Sequence, residues 1–111
     1  MIPHYSDHYR RNLTFMRAIN TAKRSVGIDV PEFPTKPTMP DEETRRLRPK
    51  LLLEETLEQI KGLGFDVFTS SGDAVSEEAE YHPNGKEDLT EIADGIADVS
   101  VINIGTAIAC G

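Results

Sequence analysis

The chain has 111 residues, with 12 basic and 19 acidic side chains, and a formal net charge of −7 at pH 7. This length predicts one domain, and the acidic balance argues against broad binding to nucleic acids or anionic membranes. The single cysteine excludes an intrachain disulfide, the polar N-terminus lacks the apolar core of a signal peptide, and the longest uncharged run (residues 99–110) is too short to span a bilayer. We therefore expect a cytoplasmic protein.

The first predicted element is a helix over about residues 5–26, because Tyr9, Leu13, Met16 and Ile19 recur at helical spacing. Gly27 is expected to close this helix. Four prolines within residues 28–40 then predict an extended connector without regular structure.

A second helix is predicted to begin at Asp41, a residue type typical of helix starts, and to end at Gly62 and Gly64. Pro49 is expected to kink this helix or to divide it into two pieces. Its predicted buried face consists of Leu53, Leu57 and Ile60.

A small β-hairpin is predicted in residues 65–82, with a strand over 65–68, a turn at 71–73 and a return near 78–81. A loop at 82–85 precedes the last helix, which is expected over about residues 87–109. After Asp98 this helix is apolar nearly all round, which is typical of a subunit interface, and small residues at 105–107 permit close helix approach. The predicted fold is all-α, a helical bundle completed by homo-oligomerisation, with the small hairpin in the 65–82 loop.

Two groups of carboxylates lie among apolar residues on the second and last helices. They are Glu54, Glu55 and Glu58 on the one, and Glu91, Asp94 and Asp98 on the other. Residues three, four and seven apart share a helix face, and no basic residue follows position 87 to pair with the second group. Like charges beside an apolar core require compensation, and oxygen-only ligands suit Mg²⁺. The sequence therefore predicts a metal site between these two helices.

Other interpretations fit less well. A di-iron bundle needs Glu-x-x-His pairs, which the chain lacks, and neither a phosphate-binding nor a dinucleotide-binding glycine motif is present. The alternative for any single acid is a solvated surface carboxylate, and Glu54 has Arg48 and Lys50 nearby as partners.

The pattern Glu54-Glu55-x-x-Glu58 followed by Glu91-x-x-Asp94 resembles the EExxE…ExxD signature of the all-α nucleoside triphosphate pyrophosphohydrolases, the MazG-like and phosphoribosyl-ATP pyrophosphohydrolase-like superfamily. The resemblance covers roughly residues 31–111 and includes Leu47-Arg48 and the Gly105-Thr106-Ala107 segment. It implies a single MazG-like helical domain over residues 1–111, assembled as a homodimer or homotetramer. It also implies binding of Mg²⁺, or alternatively Mn²⁺, and cleavage of (d)NTP to (d)NMP and pyrophosphate.

The same resemblance assigns roles to individual residues. Glu55 and Glu58 correspond to metal ligands on the second helix. On the last helix, alignment on the motif makes Glu91 and Asp94 the ligands. Alignment on the Gly-Thr-Ala segment instead puts Asp98 in the aspartate position and Gly95 where the family has Glu. We rank Asp94 and Asp98 first as ligands, expect Glu54 or Glu91 to orient or deprotonate the attacking water, and expect Arg48 and Lys50 to bind substrate.

The chain departs from the family pattern in three places. The spacing between Glu58 and Glu91 is longer than usual, and Val101 and Ile104 occupy positions that are often aromatic. The family helix is normally followed by a segment carrying Asn and Lys, whereas this sequence stops at Gly111, so the domain is expected to lack it. Two alternatives therefore stay open: a non-catalytic helical dimerisation module with a vestigial acidic site, and a phosphoribosyl-ATP pyrophosphohydrolase.

Overall fold

The computed structural model describes residues 7–70 and 72–111. Within these residues the elements are α1 (Asp7–Ser25), α2 (Glu42–Gly62), β1 (Phe65–Phe68), β2 (Glu80–Pro83) and α3 (Leu89–Cys110). The protein is thus mostly helical with one small two-stranded antiparallel sheet, as predicted. Its contacts divide it into two compact units: the described residues up to Pro49 together with Val101–Gly111, and Lys50–Ser100.

In the first unit, α1 leads into the proline-rich connector. The predicted helix start at residues 5 and 6 lies outside the described residues. Gly27 closes α1 with a φ of 86°, and its N–H donates to the Arg24 carbonyl at 3.0 Å. The connector has no regular structure, as predicted, and the Thr38 N–H donates to the Cys110 carbonyl at 2.7 Å. This hydrogen bond attaches the connector to the end of α3.

Asp41 caps the start of α2, as its residue type predicted. Its Oδ1 accepts the Thr44 N–H at 2.8 Å, and the hydrogen bonds from Thr44 hold the pKa of Asp41 below its ordinary value. The alternative in which Pro49 divides this helix is wrong, because α2 continues through Pro49 to Gly62. A proline removes only one backbone N–H donor from the helix, and the residues in the turns on either side keep their hydrogen bonds, so the helix continues.

In the second unit, the hairpin forms with one shift from the prediction. β1 has the predicted bounds, but β2 begins at Glu80 and includes His82 and Pro83, which were predicted as loop. Pro83 is tolerated because it lies at the end of an edge strand, where a missing donor costs little. Of the predicted turn, residue 71 lies outside the described residues, and the Asp73 N–H donates to the Ser70 carbonyl at 3.3 Å.

The α2 and α3 segments of the second unit pack closely and run antiparallel. A Cβ added at Gly62 would lie 3.0 Å from the Glu91 Cβ, and one added at Gly95 would lie 2.6 Å from the Gln59 Cβ and 2.9 Å from its Cα. Asp88 stabilises this arrangement, since its N–H donates to the Gly62 carbonyl at 2.9 Å while its side chain accepts the N–H groups of the first turn of α3. Gly62 lies beside Glu91, and Gln59, earlier in α2, lies beside Gly95, later in α3. This antiparallel register determines which carboxylates of the two helices come close together.

The predicted buried face of α2 is wrong at two of its three residues in the single chain, and the third, Ile60, is half-buried. Leu53 is 49% exposed and Leu57 is 43% exposed, and the only buried hydrophobic side chains among the described residues are Tyr9 and Ile108. The described part of the second unit contains only segments of α2 and α3 and the short hairpin, so this unit has no third helix to cover these leucines.

Helix α3, with 22 residues, is also long and apolar enough to cross a membrane, judged by length and composition alone. The uncharged run of residues 99–110, which alone is too short to span a bilayer, forms only the second half of this helix. Core helices of soluble proteins meet the same criterion, so the absence of a membrane span stays a prediction.

Candidate metal centre

Three of the predicted carboxylates converge in the second unit. One carboxylate oxygen from each of Glu55, Glu58 and Asp98 lies within 4.8 Å of the other two. The helix contact explains this convergence, because Glu55 and Glu58 lie within one turn of Gln59 and Asp98 lies within one turn of Gly95. Two helices thus supply one acidic cluster, which we call the carboxylate cluster.

The carboxylate cluster is electrostatically unfavourable without a positive charge. Oε2 of Glu55 is buried and has no hydrogen-bond partner among the described residues. Desolvation, followed by repulsion from Glu58 and Asp98, raises the pKa of Glu55 to about 7. Ionised carboxylates have no proton to donate to one another, so at neutral pH a shared proton or a cation would stabilise the cluster.

The donor set matches a hard divalent cation. All three groups offer oxygen, and neither His nor Cys belongs to the cluster in the described chain, which makes a zinc site a poor fit. Mg²⁺ and Mn²⁺ are bound by carboxylates together with waters or phosphate oxygens. The buried Oε2 of Glu55 fits such an ion, since a cation satisfies an acceptor that no donor reaches.

The remaining predicted acids lie outside the carboxylate cluster. Asp94 is exposed and lies about one turn before Asp98 on α3. Glu91 is exposed and packs its Cβ near Gly62, while Glu54 is exposed beside Glu55. The roles predicted for these three residues stay predictions. The convergence on Asp98 is consistent with the alignment that places Asp98 in the aspartate position.

The two predicted substrate-binding residues have different surroundings. Lys50 is exposed at the beginning of the second unit. Arg48 belongs to the first unit, where its Nη1 lies 2.5 Å from the position of a Cβ added at Gly105. Its Nε is buried without a hydrogen-bond partner in the described chain, and desolvation lowers the pKa of the guanidinium. Contact of either residue with a substrate stays a prediction.

Sequence reasoning missed the pair that brings the helices together, Gln59 and Gly95. A signal was present, because a glycine inside a helix lowers its stability relative to alanine and often marks close approach of another backbone. In the resemblance, Gly95 appears only as the residue at a position where the family has Glu. Any side chain at this position would meet the Gln59 backbone.

Comparison with models of known protein families gives no match, and neither curated proteins nor solved structures show significant similarity to the chain. The resemblance to MazG-like proteins therefore depends on the motif residues alone.

We expect the metal-free protein to lose stability as the pH rises from about 4.5 to about 7. Folding raises the pKa of Glu55, so between these values the folded state binds more protons than the unfolded chain. The stabilisation is complete below the unfolded pKa and is lost as the pH passes the folded pKa. Melting temperatures measured by circular dichroism across this range, in a metal chelator, test the expectation.

Saturating Mg²⁺ should reverse this loss above pH 7, because a bound cation replaces the proton. Glu55→Gln is the control, since it removes the titrating group and should flatten the profile in the same window. A wild-type profile that matches that of Glu55→Gln would contradict the raised pKa.

Proposed function

We propose that the protein is a Mg²⁺-dependent nucleoside triphosphate pyrophosphohydrolase that cleaves (d)NTP to (d)NMP and pyrophosphate. The observation that carries the proposal is the convergence of Glu55, Glu58 and Asp98 from two helices around a buried, unpartnered carboxylate oxygen. The motif resemblance supports the same chemistry, because Glu55 and Glu58 belong to its acidic positions and Asp98 does so in the alignment on the Gly-Thr-Ala segment. Phosphoryl chemistry suits such a site, since the substrate and the cluster are both anionic and a shared cation joins them.

In this proposal Glu55, Glu58 and Asp98 hold the metal, with Asp94 as a further ligand. When bound, Mg²⁺ would neutralise the carboxylates, accept triphosphate oxygens and lower the pKa of a bound water. Glu54 or Glu91 accepts the proton of the attacking water. The water oxygen forms a bond to the α-phosphorus, the bond from that phosphorus to the bridging oxygen breaks, and pyrophosphate leaves with the electron pair. Lys50, which belongs to the same unit as the cluster, is proposed to bind the substrate. Contact of Arg48 with the substrate stays a prediction.

The decisive experiment is incubation of the purified protein with a panel of NTPs and dNTPs plus Mg²⁺, followed by separation of all products. Equal amounts of monophosphate and pyrophosphate are expected, because attack at the α-phosphorus yields both. Phosphoribosyl-ATP belongs in the panel as the alternative substrate of the same chemistry. Diphosphate and phosphate as products would contradict cleavage at this bond, and no turnover by folded protein would favour the dimerisation module.

We further propose a homodimer or homotetramer in which a second copy covers the exposed leucines of α2. Leu53 and Leu57 lie one turn apart and share a face, about 200° round the helix from Glu55 at 100° per residue. The carboxylate cluster and this apolar face thus lie on different sides of α2. Exposed apolar residues that form a stripe are typical of a surface buried by a partner.

Replacing Leu57 by Glu should shift the assembly towards monomers, because a charge in an apolar interface is unfavourable. Sedimentation velocity over a range of protein concentrations measures the shift. Leu89→Glu is the matched control, since it makes the same exchange at an exposed position at the start of α3. An unchanged sedimentation coefficient for Leu57→Glu would exclude this face as the interface.

A further inference from the structure

The first unit contains a second candidate site, formed by residues other than those of the carboxylate cluster. A cavity of about 690 Å³ is bordered by α1, the connector, the first turns of α2 and Ala109 of α3. This volume lies within the usual range of small-molecule sites, about 300–1,000 Å³. Much of its wall is apolar, formed by side chains such as Met16, Ile19, Phe33, Met39 and Leu47.

Asn20 is the unusual residue of this wall. As a whole residue Asn20 is only 9% exposed, it lines the cavity, and no hydrogen bond joins its side chain to another described residue. Its amide atoms are not among the fully buried unpaired polar atoms, so they reach solvent. Most polar side chains this deep in folded proteins have a protein partner or an ordered water. The Asn20 amide therefore has a donor and an acceptor that the described residues do not use and that a ligand in the cavity can use.

Arg48 lines the same cavity and supplies a second polar group. Its side chain is half-buried, and no carboxylate in the described residues lies within ion-pair distance of its guanidinium. An arginine in an apolar wall without a carboxylate partner offers donors to a ligand acceptor. Asn20 offers both a donor and an acceptor in one plane, so the two residues together can hold a planar polar group.

The charges of the cavity select against a polyanion. Its basic lining residues are Lys23 and Arg48, whereas its acidic lining residues are Asp29, Glu32, Asp41 and Glu43. The acids outnumber the bases by two, so a triphosphate group would be repelled. An uncharged, flat and partly apolar molecule fits these walls better.

We propose that this cavity binds an uncharged heterocycle of nucleoside size through the amide of Asn20. A carboxamide pairs in a bidentate manner with a ring edge on which a donor and an acceptor are adjacent, as asparagine does with adenine. The apolar side chains then cover the faces of the ring. This inference does not depend on the metal centre.

The probes are the natural ribo- and deoxyribonucleosides, which carry no phosphate, titrated calorimetrically in a metal chelator. At least one is expected to bind with a Kd below about 1 mM, and Asn20→Leu should weaken that binding at least about tenfold, within the range of losses when a polar contact is removed. Asn20→Ala is the second variant, in case leucine disturbs packing. No binding by any nucleoside, or equal binding by wild type and both variants, would overturn the proposal.

A separate measurement distinguishes a binding residue from a structural one. If Asn20 serves binding, Asn20→Leu should not lower the melting temperature of the ligand-free protein, because the described fold loses no hydrogen bond of this side chain. A fall in melting temperature would show that Asn20 stabilises the fold and would overturn the inference. Asn103→Leu, the same exchange at an exposed position outside the cavity, is the control.

Two sources of the heterocycle remain to be separated, the base of a substrate triphosphate and an independent nucleoside. If the base of the substrate binds here, Asn20→Leu raises KM for the triphosphate at least about fivefold with little change in kcat. If an independent nucleoside binds here, KM is unchanged while nucleoside binding is lost. Glu58→Gln should leave nucleoside binding intact, so failure of the metal centre and failure of this site give different results.

Discussion

Replacing Glu58 by glutamine is expected to reduce Mg²⁺-dependent turnover at least about a hundredfold while leaving the helical circular dichroism spectrum unchanged. The expected loss is large because Glu58 is one of the three converging carboxylates. Even replacing a residue that only orients a metal ligand typically lowers metal affinity or activity by about 10- to 100-fold. The fold should persist because Glu58 is exposed and the substitution removes one member of a repelling set. Steady-state kinetics with pyrophosphate as the measured product, together with calorimetric titration of Mg²⁺, tests both consequences.

Glu77→Gln is the matched control, because it makes the same exchange at an exposed acid between the two strands of the hairpin. It should retain wild-type turnover and Mg²⁺ affinity. If Glu58→Gln also retained both, the carboxylate cluster would have no part in the reaction. If Mg²⁺ bound to the wild type without turnover of any triphosphate, the site would be a metal centre in a non-catalytic module.

Local patterns were sufficient to predict most elements of this fold. Gly27, Asp41 and Gly62 mark helix boundaries by backbone or capping chemistry that operates within a few residues, and the structure has boundaries at or beside each of them. The hairpin return was harder to predict, because strand pairing depends on register between distant residues, here Phe65 with Pro83. The effect of Pro49 was difficult to predict for the opposite reason. Proline locally disfavours a helix, but the helical turns on both sides of Pro49 continue α2 through it.

The candidate site was partly predictable in the same sense. Helical spacing placed Glu55 and Glu58 on one face and grouped Asp98 with Glu91 and Asp94, but spacing on one helix cannot show which turn faces the other helix. That choice depends on the register of α2 against α3, which Gly95 and Gln59 set by backbone approach. The cavity around Asn20 was not predicted, because an asparagine at helical spacing among apolar residues has no distinct signal in a single sequence.

The exposed leucines show how burial predicted from one chain can refer to an assembly. The pattern of Leu53 and Leu57 is that of a buried helix face, yet both are largely exposed in the single chain. Few hydrophobic side chains are buried among the described residues. A 111-residue protein buries a smaller fraction of its surface than a larger one, so leaving two leucines exposed is unfavourable. The proposed second copy resolves this conflict by covering the same face from outside.

Replacing Gly95 by alanine is expected to lower the free energy of unfolding by about 1–3 kcal/mol, the usual cost of overpacking. An added Cβ would lie 2.6 Å from the Gln59 Cβ and 2.9 Å from its Cα, so the two helices must separate. Alanine has the higher helix propensity, so without this contact the substitution would be stabilising. Urea denaturation measures the loss of stability.

Gly105→Ala provides the control for this prediction, because it makes the same exchange within the same helix. The nearest atom to a Cβ at Gly105 is Nη1 of Arg48, the end of a long side chain that can shift, so its cost should be small or absent. Separation of α2 and α3 at Gly95 should also move Asp98 away from Glu55 and Glu58 and weaken Mg²⁺ binding at least about tenfold, whereas Gly105→Ala should bind Mg²⁺ as the wild type does. Equal stability and equal Mg²⁺ affinity of the two variants would show that the close approach at Gly95 does not position the carboxylates.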